Sequence, residues 1–177
     1  MQLDGLSRPL RGPSPGTAHP TWEAGDRYRH SVATTWLLSF QKVQQANPAA
    51  AQLLYFCSFL APDRIPEELL RDGAAYWPVS LQQAAADPLM FHQLITELLK
   101  FSLMKRLVEE HALSIHRLVQ AVQRNRMELE TQHQWAERVV RVVNNMFPDA
   151  PKDVAAWSQC LRYLDQAQVC NALIEQE

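Results

Sequence analysis

The residues best placed for chemistry lie in Ala112-Leu113-Ser114-Ile115-His116-Arg117-Leu118-Val119-Gln120-Ala121-Val122, where a short apolar run ends at a histidine and an amphipathic stretch begins. The spacing predicts a strand, a polar tip and then a helix with apolar positions Leu118, Val119 and Val122. A histidine at such a junction sits beside the first free N–H groups of the helix. The partial positive charge of the helix dipole there favours an anion, with phosphate the usual guest. His116 is therefore the candidate ligand contact; the competing reading is a strand end that merely carries a polar residue.

Other reactive side chains do not assemble into a site on spacing alone. His30, His92, His111 and His133 have no metal-ligand spacing, and His111 with His116 across a hairpin would supply two ligands where a site needs more. Cys57, Cys160 and Cys170 are odd in number and set in apolar helical patterns, so buried free thiols are expected rather than a disulfide framework or a zinc site. Arg117 with Arg124, and Arg138 with Arg141, read as solvated faces or stems laid along apolar surface, and Glu109-Glu110 as solubilising charge. No paired carboxylates, no nucleophile with a base and no phosphate-cradling glycine loop occur, so the chain reads as non-enzymatic.

Composition bounds the remaining classes. Seventeen Lys plus Arg against nineteen Asp plus Glu give a formal charge of −2, which provides no bulk attraction to nucleic acid or anionic lipid. At 47% hydrophobic and 20% charged residues, a chain of 177 residues has enough apolar material for a core. No run approaches the length of a membrane span and no secretory leader pattern is present, so the cytoplasm is the default location.

The elements that must position His116 follow from periodicity. Residues 1–27 hold four of the five glycines and several prolines with almost no apolar periodicity, and read as a disordered leader. Trp36, Leu37, Phe40 and Val43 mark a first helix from about Val32 to Gln45. Asn47-Pro48 starts a second, apolar on nearly every face from Ala49 to Leu60, and Pro66-Glu67-Glu68 opens a short third. Asp87-Pro88 repeats the cap-and-proline signal for a helix to Phe101. Leu103–Val108 and Ala112–Ile115 are strand candidates joined by Glu109-Glu110-His111, a hairpin whose turn lacks glycine. Helices, hairpin and further helix form a winged-helix outline. Beyond it, Trp135, Val139, Val142, Val143 and Met146 stripe one face of a helix from Gln134 to Phe147, which Pro148 and Pro151 end. A last helix or helix pair from Asp153 is expected to carry Trp157, Cys160, Leu161, Leu164 and Ala167 on one side, with Leu173 and Ile174 near its end, and the chain stops as though a stack of helix pairs had been cut short.

Several blocks, in order, resemble bacterial NB-ARC proteins with tetratricopeptide repeats, members of the STAND class of signalling ATPases. They are His30-Ser31-Val32-Ala33-Thr34-Thr35-Trp36, Leu38-Ser39-Phe40, Asn47-Pro48-Ala49-Ala50-Ala51, Phe59 to Leu70, and Leu113 to Val122. The similarity runs over about residues 28–177 and implies the winged-helix domain and the start of the repeats, without the nucleotide-binding lobe. In that family a histidine closing the second wing strand contacts the β-phosphate of bound ADP, in a motif usually written Met-His-Asp. Ile115-His116-Arg117 occupies it here, so the resemblance implies His116, with Arg117 beside it, as an ADP phosphate contact that operates when a nucleotide-binding lobe is present. The family's phosphate loop, Walker B acid and sensor arginine have no counterpart in this chain.

The sequence thus predicts a mainly α protein. It comprises a leader (1–27), a winged-helix domain of helices plus a small β-hairpin (28–130), and a helical linker opening a tetratricopeptide-like segment (131–177). The expected role is a regulatory module coupling ADP state to a repeat sensor. Its partners would be a nucleotide-binding lobe, in cis or in trans, and other proteins docking on the helical repeats. It would carry no cofactor of its own, ADP or ATP belonging to the parent architecture. The alternatives are a DNA-binding winged helix using Pro88–Phe101, and a truncated gene product.

Overall fold

Prolines and their capping neighbours set the helix starts. In the computed structural model, which describes residues 21–147 and 154–175, α1 (Thr21–Ala46) gives way to α2 (Pro48–Cys57) at Asn47, whose Oδ1 accepts from Ala50 N at 3.1 Å. Then come β1 (Ile65–Pro66), α3 (Glu67–Asp72), a 3₁₀ turn at Gly73–Tyr76 and α4 (Val79–Ala86). Asp87 Oδ1 accepts from Leu89 N at 2.8 Å to start α5 (Pro88–Lys100). The order continues with β2 (Met104–Leu107), β3 (Ala112–Ile115), α6 (Arg117–Asn125), α7 (Leu129–Met146) and α8 (Val154–Ile174). The protein is mainly α with a small antiparallel sheet, as its periodicities require.

The first twenty residues of the expected leader lie outside the described residues, as do Pro148, Pro151 and Asp153. Residues 21–27, read as leader, are helical: no proline occurs between Pro20 and Pro48, so nothing interrupts the backbone ladder of α1.

The sheet has the order β1-β3-β2, with β3 central. Met104 pairs with Ile115 and Lys105 with Ser114 on one side of β3; Ile65 pairs with Leu113 and Pro66 with Ala112 on the other. Strand β1 escaped the sequence reading because it is two residues long and ends in proline, which an edge strand tolerates. The hairpin turn is a 3₁₀ segment, Val108–Glu110, closed by His111 at φ 48°, so a histidine takes the left-handed position that glycine would ordinarily fill.

Helix α2 is the centre of the core: Ala50, Leu53, Leu54, Phe56 and Cys57 have no exposed surface. Helix α7 lays Trp135, Val139, Val142 and Val143 into the same cluster. At Gly73 a Cβ would overlap Val142 Cγ1 and lie 3.0 Å from Cγ2, so the absence of a side chain sets how closely α7 approaches the 3₁₀ turn. The boundary expected at residue 130 falls inside α7, and Tyr163 and Cys170 of α8 join the cluster too, because a stripe as apolar as that of α7 needs an apolar partner.

Two faces differ from the periodicity. Helix α6 buries Val119, Gln120 and Gln123, while Leu118 and Val122 are half-buried. Helix α8 buries Tyr163, Gln166 and Cys170 and leaves Trp157, Leu161 and Leu164 exposed at 64%, 70% and 44%. In both, polar anchors decide the orientation. The Gln120 amide donates to Cys57 O at 3.0 Å, which also accepts from Leu60 N at 3.4 Å, and to Leu60 O at 2.8 Å, so it ties down the turn that follows α2. Gln166 Oε1 accepts from Ala61 N at 2.8 Å and Nε2 donates to Ala61 O at 3.5 Å. Arg162 grips the Glu68 carboxylate with two nitrogens and donates to Glu110 O and His111 O, both at 3.2 Å. An apolar moment cannot register such bonds.

Candidate functional site

His116 stands where the sequence placed it, between β3 and α6, in extended conformation (φ −69°, ψ 132°) as the N-cap of the helix. Its Nδ1 accepts from Leu118 N at 3.1 Å, and its carbonyl accepts from Val119 N at 2.8 Å and Gln120 N at 3.2 Å. The expectation of open backbone N–H groups beside His116 is corrected by these bonds. Three of the first helical donors are already engaged, and one of them is engaged by the imidazole itself. An accepting Nδ1 places the proton of the neutral ring on Nε2, which has no hydrogen-bond partner among the described residues. Trp36 of α1 packs on the ring with centroids 5.0 Å apart at 45°, fixing the imidazole plane from the other side.

A cavity of about 200 Å³ opens beside this ring. Asp63, Ser102, Lys105, Ser114 and His116 supply its polar lining, over an apolar floor that includes Met104 and Ile115. Arg117, the neighbour expected to share the phosphate contact, is 82% exposed in its side chain and reaches Asp63 at 3.9 Å. The structure therefore brings His116 to the cavity and turns Arg117 to the carboxylate at its rim.

The remaining candidates fall elsewhere. Arg124 and His133 line a separate cavity of about 380 Å³ between α6, α7 and α8. Arg138 lies 5.1 Å over the Trp135 ring and Arg141 pairs with Glu137. His92 lines a third cavity beside Arg71 and Arg106, and Arg106 is held by Glu67 at 2.6 Å through two nitrogens. Burial pushes the Cys57 thiol far up and the Cys170 thiol up to about 11, which removes their nucleophilicity. Among the described residues no group of three His, Cys, Asp or Glu is arranged to hold a metal, and no described helix is long and apolar enough to cross a membrane. Helix α5, the element a DNA-reading winged helix would present, exposes Leu89 and Met90, and its Lys100 lies 3.9 Å from Glu97.

Sequence reasoning missed Lys105, Ser114 and Ser102. Their signal was the register of β2 and β3, which sets Lys105 directly across from Ser114. It also missed Glu68, which reaches α8 through Arg162. Burial alone would raise the Glu68 carboxyl, but the Arg162 hydrogen bond, its own backbone N–H, the Arg162 charge and the Tyr163 hydroxyl together bring it below the ordinary carboxylate value.

Comparison with known proteins gives a family and a distant relative. The family described as "Domain of unknown function (DUF7779)" matches residues 41–132, just over half of the chain. A "Nucleotide-binding leucine-rich repeat (NLR)-like protein" from Hyaloscypha variabilis is 29% identical over 153 residues, covering 83% of this chain. The chain spans only 14% of that relative's length. No solved structure matches.

Proposed function

We propose a regulatory role for this chain, which belongs to the DUF7779 family of domains of unknown function: a non-enzymatic module of a STAND-type signalling ATPase that reports nucleotide state through His116. The observation that carries this reading is the state of the His116 ring. It is held by the Leu118 N–H on one side and by Trp36 on the other, its Nε2 has no hydrogen-bond partner among the described residues, and the residue lines a cavity. A donor fixed in this way is suited to one oxygen of a phosphate on a partner surface. The relative's printed name includes nucleotide binding, which supports the same direction.

In this proposal a nucleotide-binding lobe, in cis or in trans, holds ADP, and His116 closes on its β-phosphate. The winged-helix segment then docks against that lobe, and the helices from α7 onward connect it to a tetratricopeptide-like sensor that meets other proteins. Because the contact exists only in the closed, ADP-loaded arrangement, it biases a two-state equilibrium toward rest. Losing one hydrogen bond from His116 to a charged phosphate corresponds to about 1.5–3 kcal/mol, a ten- to hundredfold effect on ADP dissociation. The test replaces His116 by alanine in a polypeptide carrying both this segment and a nucleotide-binding lobe, and follows release of fluorescent ADP. Accelerated release is expected; an unchanged off-rate overturns the proposal.

A further inference from the structure

Each strand of the small sheet is entered through a left-handed residue that is not glycine. Among the described residues, Arg64 (φ 51°), Ser102 (φ 55°) and His111 (φ 48°) are the positive-φ positions. Arg64 and His111 come immediately before β1 and β3, and Ser102 comes two residues before β2. A side chain in that region crowds the following carbonyl, so its surroundings must hold each residue there.

What holds them differs. Ser102 ends α5: its N–H donates to Leu99 O at 2.9 Å and the Leu103 N–H to Leu98 O at 3.1 Å, a helix ending that glycine ordinarily makes. His111 closes a three-residue 3₁₀ turn through its N–H to Val108 O at 3.3 Å, and further support comes from α8. Arg162 donates to His111 O and Glu110 O while the Glu68 carboxylate fixes its guanidinium. Gln166, four residues along the same face of α8, bonds the N–H and C=O of Ala61 in the loop that leads to Arg64. The contact between Arg64 and Asp165, exposed and 4.0 Å apart, adds little to this.

We infer that α8 is a latch on the sheet: Arg162, with Gln166 beside it, holds the entries of β3 and β1 and so sets the position of His116. Strand β3 has four residues between His111 and His116 and pairs on both sides, which leaves no slack to absorb a change at one end. Its last residue, Ile115, donates to Pro62 O at 2.9 Å, in the same loop that Gln166 holds. When α8 is drawn away, His111 relaxes to negative φ, Ala112 leaves its pairing with Pro66 and Leu107, and the change arrives at the N-cap of α6. Arg162 is thus a positioning residue for His116. The inference deepens the reading above by naming what regulates the His116 site, and it rests on that reading only for the ligand His116 meets.

The experiment follows amide hydrogen exchange and the His116 ring ¹⁵N signals by NMR in the ¹⁵N-labelled 177-residue chain. No nucleotide is present, so its failure and that of the ADP-release test are distinguishable. The Glu67, Ile115 and Leu118 amides bond His111 O, Pro62 O and the His116 ring, and report the two ends of β3. In R162M they are expected to exchange about tenfold or more faster, beyond any change at the Ser102 and Leu103 amides, and the His116 ring signals to shift. Adding H111G to R162M restores both, because glycine takes positive φ without crowding. Equal acceleration at all these amides marks a general loss of stability and overturns the inference. So does a His116 ring that keeps its native signals in R162M, or an R162M effect that H111G leaves unrelieved. H111G alone is expected to favour the folded state about two- to fivefold in urea unfolding, and a destabilised H111G overturns the strain at His111 and the latch with it. Should R162M not fold, R162K is read by the same criteria, since it keeps a charge beside Glu68 without the fork that spans two carbonyls.

Discussion

At the C-terminal end of α2 the Gln120 amide bonds two carbonyls, Cys57 O and Leu60 O, and Gln166 bonds both the N–H and the C=O of Ala61. At the mouth of β2 and β3, by contrast, the side chains of Lys105, Ser102 and Ser114 have no hydrogen bond or ion pair among the described residues, and His116 spends only one of its two ring nitrogens. The first cluster is buried, and both carboxamides are matched to backbone groups around the end of α2. The second is open to solvent, and its donors outnumber the acceptors the chain offers. Polar groups of the first kind hold elements in place; those of the second kind are available to something from outside.

The largest effect is expected from Q120M, which keeps the side-chain volume, strands the buried Leu60 carbonyl and leaves Cys57 O with only the Leu60 N–H at 3.4 Å. A loss of about 2–4 kcal/mol is expected in urea unfolding, and a loss under 1 kcal/mol would show that the α2 end does not depend on Gln120. Next is R162M, with an expected cost of about 1–1.5 kcal/mol, since Arg162 is 37% and Glu68 26% exposed in their side chains and screening discounts the pair. Glu68 is depressed in the folded chain, so its contribution is complete above the ordinary unfolded value near 4.3 and fades as pH falls below it. Native stability should therefore decline more steeply below about pH 4 than that of R162M, and parallel curves would remove Glu68 from the account.

A smaller effect of opposite sign is expected at Gln123, three residues along the same helix. It is fully buried, and neither end of its carboxamide has a partner among the described residues. Q123M should raise stability by about 0.5–1 kcal/mol by removing unpaired polar atoms at similar volume, and a loss of stability would reveal a bond to a neighbour. Smallest of all, K105Q and S114A should change the unfolding free energy by no more than about 0.5 kcal/mol, as surface changes outside structural networks do. A large loss in either would reassign the cavity to the fold.

Much of this molecule was legible from residue type and spacing. Asn47-Pro48 and Asp87-Pro88 start helices because a capping side chain followed by proline has few other uses, and the run ending at Ile115 had to hand over to a helix at His116. The faces of α6 and α8 were not legible, because Gln120 and Gln166 are buried by their hydrogen-bond partners rather than by their hydropathy. Nor were the neighbours of His116: Lys105 and Ser102 lie more than ten residues before it, and only strand register and the preceding turn bring them to its side.

The close approach at Gly73 also bears on how such a chain can be rearranged. Gly73 lies inside the matched stretch 41–132, and Val142, which fills the space of its missing Cβ, lies beyond it. Any sequence joined after residue 132 inherits a size limit from a glycine some sixty residues upstream, and exchange of downstream segments succeeds only where the incoming helix respects it.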